Sequence, residues 1–472
     1  MNFFKSLAVG SMTGVMARSC AVVGLVASVV FGASRTLAQP AAKPDRYPDF
    51  REVVRSASDR VFPAVVFIKV VRESNDRGEK VSEEISGSGA IVSPTGEVVT
   101  NWHVVDKAQS VRCLLSDGRA LAAKVLGTDK DTDLGLLQLE IPAGSAPLPY
   151  ASFGDSSVLR EGDFAMAMGA PYGLNRSVSI GIISCSRRFL EEVSEYSLWL
   201  QTDASINPGN SGGPLVNTAG EVIGVNARGL NQANGMGFAI PAETVRILLP
   251  QLRESGRVNW SWTGLQLQPL RDFFKDVYFD GTEGVIISET DPSSPGRLAG
   301  VEAHDRLLAV NGTPVVGLTA EDLPAVRRML GLLPKGKPAK LDLLRGKEKV
   351  SVEITPREKG KVEGEELACK RWDLTFKAIN QFDNPDLYFY REKGVFVLAT
   401  KYPGNATTAG LRTSDIILRI DGQNIETLAD VEKLHKEAVA KVDQKPRAVF
   451  TVQRGGLERQ IVMDFARDYS KQ

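Results

Sequence analysis

The sequence predicts a mainly β protein divided into several domains, and three observations carry that prediction. From Val65 to about Ile240 the chain runs in short β-branched segments broken by Gly, Pro, Asn and Asp, the pattern of an all-β barrel domain. Past Pro250 the sequence repeats itself: Gly284-Val285-Ile286-Ile287 matches Gly394-Val395-Phe396-Val397, and Asp305-Arg306-Leu307-Leu308 matches Asp415-Ile416-Ile417-Leu418. A chain of 472 residues has room for about two to four domains. Its hydrophobic content of 43% and charged content of 24% are those of ordinary globular domains. The formal net charge is zero and there is no long basic run, which argues against a nucleic-acid partner.

The N-terminus reads as targeting. Lys5 and Arg18 precede the apolar run from Ala21 to Ala33, and Ala38 offers a small-residue cleavage point before Gln39-Pro40. The run is short for a membrane span, which needs about 20 apolar residues. Residues 1–38 are therefore read as a signal peptide of an exported protein, with an uncleaved signal anchor as the alternative. Residues 39–48, rich in Pro and Ala, read as a linker. Asp49 to Phe67 is amphipathic, with Val53, Val54, Val61, Phe62 and Val65 as candidate core residues, and Arg72 to Glu84 reads as a polar loop between strands. Cleavage would leave Cys113, Cys185 and Cys369. Three cysteines cannot all pair, so they read as buried thiols rather than a disulfide framework.

The segment Asn207-Pro208-Gly209-Asn210-Ser211-Gly212-Gly213-Pro214 is the most informative in the chain. Flanking glycines let the backbone approach a substrate carbonyl. The N–H groups of Gly209, Asn210 and Ser211 are candidates for an oxyanion hole beside the Ser211 hydroxyl. A serine needs a base to become a nucleophile, and the chain has three histidines. His103 follows the strand-like run Val98-Val99-Thr100. Asp133 stands at the edge of the apolar run Leu134 to Leu137, where it could orient an imidazole. The order His, Asp, Ser is that of chymotrypsin-type enzymes. His304 and His435 have no Cys or His partner at metal-ligand spacing, so no zinc site is indicated and no cofactor is expected.

At these residues the chain resembles HtrA/DegP-type serine proteases over about residues 48 to 465. The resemblance rests on Gly87-Ser88-Gly89-Ala90-Ile91-Val92, the His103 and Asp133 blocks, Gln201-Thr202-Asp203-Ala204 through Pro214, and Gly237-Phe238-Ala239-Ile240-Pro241. It implies a chymotrypsin-like double β-barrel protease domain over 49–255. Two α+β PDZ domains follow, over 260–357 and 367–465, joined by the charged linker 358–366. It further implies a Ser211–His103–Asp133 triad, a homotrimer or larger oligomer built through the N-terminal segment that contains Phe50 and Phe62, and a periplasmic location.

PDZ domains capture a terminal carboxylate on backbone N–H groups and add the peptide to a sheet edge. Trp262-Thr263-Gly264-Leu265 fits the family's loop, making Thr263, Gly264 and Leu265 the candidate peptide-binding residues. In the second repeat Arg371-Trp372-Asp373-Leu374 puts Asp373 where the first has glycine, and a carboxylate facing the groove would repel a peptide carboxylate. The first repeat is thus the expected receptor for C-terminal peptides.

By the same resemblance the base of the primary specificity pocket falls at Ser205 and Ile206. Neither is acidic, which predicts cleavage after small or medium apolar residues. Such residues are buried in folded proteins and exposed in unfolded ones, so misfolded chains are the expected substrates. Two other readings stand beside this endopeptidase: a holdase chaperone, and a membrane-anchored regulatory protease. Trp102 and Gly135 depart from the family pattern, as does Asp373.

Overall fold

The computed structural model of the chain describes residues 49–170, 177–191, 193–229, 235–273 and 282–469. The expectations for residues 1–48, leader and linker, lie outside the described residues. A helix, α1 (Phe50–Val61), opens the described chain, with Asp49 as its cap: the Asp49 carboxylate accepts from Arg51 N at 3.0 Å. Val54, Val61, Phe62 and Val65 join the core beneath it, whereas Val53 is only half-buried. Phe50 is half-exposed, its ring 4.6 Å from that of Phe164.

Two closed barrels of six strands follow. The first contains β1 (Val65–Asp76), β2 (Glu79–Ile91), β3 (Glu97–Asn101), β4 (Ala108–Leu114), β5 (Ala120–Asp129) and β6 (Leu134–Leu139), with a one-turn helix, α2 (Trp102–Val105), after β3. The second contains β7 (Phe164–Gly169), β8 (Ser177–Phe189), β9 (Leu198–Thr202), β10 (Pro214–Val216), β11 (Val222–Gly229) and β12 (Gly237–Pro241). Both close in the same order, as β1-β2-β3-β6-β5-β4 and β7-β8-β9-β12-β11-β10 read around the ring. Closure pairs every strand of each ring with a neighbour on both sides. Helix α3 (Ala242–Ser255) lies across both: Val245, Leu248 and Leu252 pack with Leu134 and Leu136 of the first barrel and with Trp199 and Phe238 of the second. It stops at Gly256, whose φ of 70° is the left-handed conformation of a glycine cap.

The expected loop from Arg72 to Glu84 is instead strand. β1 and β2 stay paired from Val65↔Ala90 out to Asp76↔Glu79. Cross-strand ion pairs replace apolar contacts along the outer half: Arg72 sits 2.8 Å from Glu83 and Lys80 2.7 Å from Glu73. Arg77 and Gly78 close the hairpin at φ 47° and 90°, the two left-handed residues of a tight hairpin turn. Much of this stretch is half-buried, and Gly78 at its tip is buried against the second repeat, where its N–H donates to Thr375 Oγ1.

The two repeats form three further sheets, one large sheet in each and a two-stranded sheet, Ser261–Trp262 against Arg357–Glu358, in the first. In the first repeat lie β13 (Ser261–Trp262), β14 (Leu265–Gln268), β15 (Val285–Thr290), α4 (Pro295–Leu298), β16 (Arg306–Val310), β17 (Thr313–Pro314), α5 (Leu323–Gly331), β18 (Ala339–Arg345), β19 (Glu348–Ile354) and β20 (Arg357–Glu358). In the second lie β21 (Glu366–Cys369), β22 (Leu374–Ala378), α6 (Pro385–Tyr390), β23 (Val395–Thr400), α7 (Asn405–Ala409), β24 (Ile416–Ile420), β25 (Gln423–Asn424), α8 (Leu428–Ala440), β26 (Arg447–Arg454) and β27 (Leu457–Asp464). Each has its own apolar core, around Val285, Leu307 and Leu341 in the first and around Phe376, Ile417 and Phe450 in the second. Cys113 and Cys369 are buried thiols and Cys185 is half-buried.

Candidate active site

The barrels hold between them a cavity of about 940 Å³, lined among others by His103, Ser205, Ile206, Gly209, Ser211 and Met236. His103 comes from α2, which projects from the end of β3. Asp133 ends the turn before β6 and has φ 57°, an uncommon conformation for a residue with a side chain. That conformation is held from three sides. The Asp133 carbonyl accepts from Trp102 N at 3.0 Å and from Asn101 Nδ2 at 3.2 Å, and its carboxylate accepts from His103 N at 3.1 Å. The carboxylate thus meets the His103 ring, with Nδ1 2.9 Å from both oxygens. A proton on Nδ1 can be donated to this carboxylate, and in that tautomer Nε2 is the acceptor.

Ser211 follows the turn Asn207–Asn210. Gly212, at φ 83°, lets it enter the cleft: a Cβ on Gly212 would come within 2.2 Å of both Ser88 O and Thr100 Oγ1. The Ser211 hydroxyl donates to Ala227 O at 2.9 Å, so in this structure its proton is engaged by that carbonyl. Of the three N–H groups expected to face an oxyanion, that of Asn210 is committed elsewhere, donating to Asn207 O at 2.9 Å. The turn that shapes the loop consumes this donor, and the expectation for Asn210 is corrected accordingly. Gly209, at φ 102°, and Ser211 line the cavity.

Two further residues belong to the site. Ser88, on β2, accepts from Ala170 N at 2.9 Å, donates its hydroxyl to Gly209 O at 2.6 Å and gives its N–H to Ser211 O at 2.8 Å. It ties the serine loop to the first barrel, and its place between Gly87 and Gly89 is the signal that could have singled it out. Arg228 lines the cleft with its Nη2 3.8 Å from Asp133 Oδ2; nothing in its sequence context marks it. The turn that carries Asp133 is anchored by Asp129, which accepts from Thr132 N, Thr132 Oγ1 and Trp260 Nε1. Burial, reinforced by the charge of Asp131, pushes the Asp129 carboxyl from its ordinary 3.8 up to about 7.

Ser205 and Ile206 border the cavity directly before the serine loop, Ser205 exposed and Ile206 half-buried against Gly237. A second cavity, of about 540 Å³, lies along the first repeat. It is lined by Trp262, Thr263, Gly264 and Leu265, with Phe382 and Tyr388 of the second repeat on its far wall. Gly264 has φ 70°. Asp373 takes the same left-handed conformation, φ 56°, but its carboxylate is buried and accepts from Asn405 N at 2.9 Å. The expected repulsion at the groove is therefore corrected: the charge points into the domain, where it caps α7. Of the remaining histidines, His304 stands exposed in a turn at φ 74° and His435 is half-buried, its ring 4.8 Å from that of Trp372.

Comparison with known proteins agrees with this geometry. Residues 87–225 match the trypsin-like peptidase domain and residues 255–332 the PDZ domain. The chain is 33% identical over 394 residues to the periplasmic serine endoprotease DegP of Salmonella typhimurium, an alignment covering 80% of this chain and 76% of that protein. It is 31% identical over 443 residues to a probable periplasmic DegP-like serine endoprotease of Halomonas elongata, covering 84% and 90%. Among solved structures it is similar to the HtrA-type protease AlgW with a tripeptide, with a TM-score of 0.57, 29% identity, and coverage of 64% of this chain and 96% of that one. Triad-ordered residues at the junction of two barrels, a PDZ domain behind them and these relatives lead to one conclusion: the chain belongs to the DegP/HtrA family of serine endoproteases.

Proposed function

We propose that Ser211 is the nucleophile, His103 its general base and Asp133 the residue that orients the base. The observation that carries this reading is the His103 Nδ1 contact of 2.9 Å to the Asp133 carboxylate at the cleft where Ser211 sits. Rotation of the Ser211 side chain from Ala227 O toward His103 Nε2 prepares the attack. Nε2 takes the hydroxyl proton as Oγ bonds to the peptide carbonyl carbon, and returns it to the amine nitrogen when the peptide bond breaks. Water then repeats the sequence on the acyl-enzyme. The oxyanion is stabilised by the N–H groups of Gly209 and Ser211.

The substrates are unfolded or misfolded proteins, cut after small or medium apolar residues. Ser205 and Ile206 support this, since neither offers a charge for a Lys or Arg side chain. The first repeat takes C-terminal peptides through Thr263, Gly264 and Leu265, and the second repeat is a PDZ domain as well; the 110-residue repeat supports that reading. The names of the relatives support a periplasmic location, and the family resemblance supports a homotrimer or larger oligomer. The test is digestion of casein by the purified chain beside Ser211→Ala, with cut sites mapped by mass spectrometry. Cuts after Val, Ala, Ile or Leu, absent from the variant, are expected. Cuts concentrated after Lys or Arg would overturn the pocket assignment, and equal digestion by the variant would overturn the nucleophile.

A further inference from the structure

The two repeats differ in what lies along the strand that leaves the αL loop. In the first repeat this strand is β14, and among the described residues it ends its sheet: the order is β14-β15-β16-β18-β19. The residues before its loop, β13, pair away from it with β20, Ser261↔Glu358 and Trp262↔Arg357. In the second repeat the corresponding strand, β22, has a neighbour on each side. The added one is β21, which runs antiparallel to β22 in the register Glu366↔Lys377, Leu367↔Phe376, Ala368↔Thr375 and Cys369↔Leu374. It lies against α8, with Cys369 fully buried and Leu367 packed on the core.

This is the geometry of a ligand. A peptide whose carboxylate sits at the loop, and which pairs with the strand leaving that loop, must run toward the loop and antiparallel to the strand. β21 does both, with Cys369 at the end nearest the loop. The loop side is covered as well. The tip of the β1–β2 hairpin reaches it: Gly78 N donates to Thr375 Oγ1 at 2.8 Å, Lys401 pairs with Glu79 at 3.0 Å, and a Cβ on Gly78 would stand 2.7 Å from Leu374 N. The segment leading into β21 is tied to the catalytic barrel. Lys359 pairs with Asp131 at 3.2 Å, Glu363 with Lys130, and Glu366 with Lys107 at 3.3 Å. Those partners flank the elements that carry Asp133 and His103.

We propose that β21 is a built-in ligand of the second repeat: it fills the strand-addition edge in cis, so this repeat takes up no free C-terminal peptide and instead fastens the inter-repeat linker to the protease domain. The inference rests on the reading of both repeats as PDZ peptide receptors. One repeat is then open to peptides from other proteins, and the other is spent on holding the molecule together.

The test is amide hydrogen exchange, read by mass spectrometry, on the full chain carrying Ser211→Ala to prevent self-digestion. The probe is a decapeptide with a free, apolar C-terminal residue, compared with the same peptide amidated. Amides of residues 374–378 should exchange at least about tenfold more slowly than those of 265–268 in the peptide-free chain. They should not change when the free-carboxylate peptide is added, while 265–268 gain protection. Fast exchange of 374–378 without peptide, or protection gained there on its addition, would overturn the proposal. If 374–378 are protected throughout but 265–268 never respond, the built-in ligand stands and the receptor reading of the first repeat fails. Leu367→Asp, which drives β21 out, should expose 374–378 and let the peptide protect them. The amides of β26 report in the same experiment that the repeat has stayed folded; failure of 374–378 to open while β26 holds would count against β21 as their partner.

Discussion

The two repeats make the same contact from opposite sides. In the first, Gly264 stands at the αL position and Ser294 faces it: a Cβ on Gly264 would come within 2.0 Å of the Ser294 Cβ. Ser294 is the cap of α4, its hydroxyl accepting from Arg297 N at 3.2 Å. In the second, the glycine has crossed over. Gly404 occupies the cap position without a side chain, and a Cβ there would meet the Asp373 Cβ at 2.9 Å. Asp373 reaches across instead and caps the helix from the loop, accepting from Asn405 N. One side chain fits between loop and helix, and either partner can supply it. A missing loop glycine therefore says little about ligand charge; it says which strand carries the cap. What separates the repeats functionally is the neighbour of the next strand, absent beside β14 among the described residues and present beside β22.

The largest expected effect comes from breaking this exchange in the first repeat. Gly264→Asp forces a side chain onto Ser294 and should cost about 3 kcal/mol, with loss of peptide binding. Adding Ser294→Gly should recover about 1–3 kcal/mol of that through pairwise coupling. Thermal unfolding of the two single variants and the double variant measures the coupling; simple additivity would sink the account of the crossed glycine. Next in size, Gly78→Ala places a Cβ against Leu374 N at φ 90° and should cost about 2 kcal/mol, felt in hydrogen exchange of the second repeat and absent from the first. Smaller still, Asp373→Gly removes the cap of α7 and should cost about 1 kcal/mol, read as a lower denaturant midpoint for the second repeat.

Acidity should also separate regions of the molecule. Burial holds the His435 imidazole at about 4, below its ordinary 6.5. Between those values the unfolded chain binds more protons than the folded one, so the second repeat loses stability as pH falls from about 6.5 to about 4. Asp129 has the opposite sign. Its folded carboxyl titrates near 7 against 3.8 in its ordinary state, so the folded chain binds the extra proton and stability falls as pH rises from about 4 to about 7. Stability against pH, followed by hydrogen exchange in each region, should slope in opposite directions, and Asp129→Asn should flatten the protease-domain slope while leaving that of the second repeat.

Much of this organisation was legible in the sequence, for physical reasons. An all-β barrel domain follows from β-branched runs between turn residues, its division into two barrels is what the resemblance to HtrA/DegP-type proteases implies, and the repeats follow from matched apolar runs. The His103, Asp133 and Ser211 blocks stand out because their chemistry needs glycines and apolar neighbours at close range. What stayed hidden depends on cross-chain partners. Arg72 to Glu84 reads as loop because its strand pairing is stabilised by ion pairs rather than alternating apolar residues. The burial of Asp373 is set by Gly404, distant in sequence and featureless alone. Asn210 and Ser211 each have a hydrogen-bond partner that composition does not mark, Asn207 O and Ala227 O. Ser88 acts through contacts to Gly209 and Ser211, more than a hundred residues away.

The claim that Ser211 is an activated nucleophile is tested most directly with a fluorophosphonate probe, which phosphonylates only a serine whose proton is being withdrawn. Intact-mass and peptide mapping of the purified chain should find one adduct, on Ser211, and His103→Ala should slow its formation at least about 100-fold. No adduct, an adduct on another serine, or an unchanged rate in His103→Ala would contradict the account.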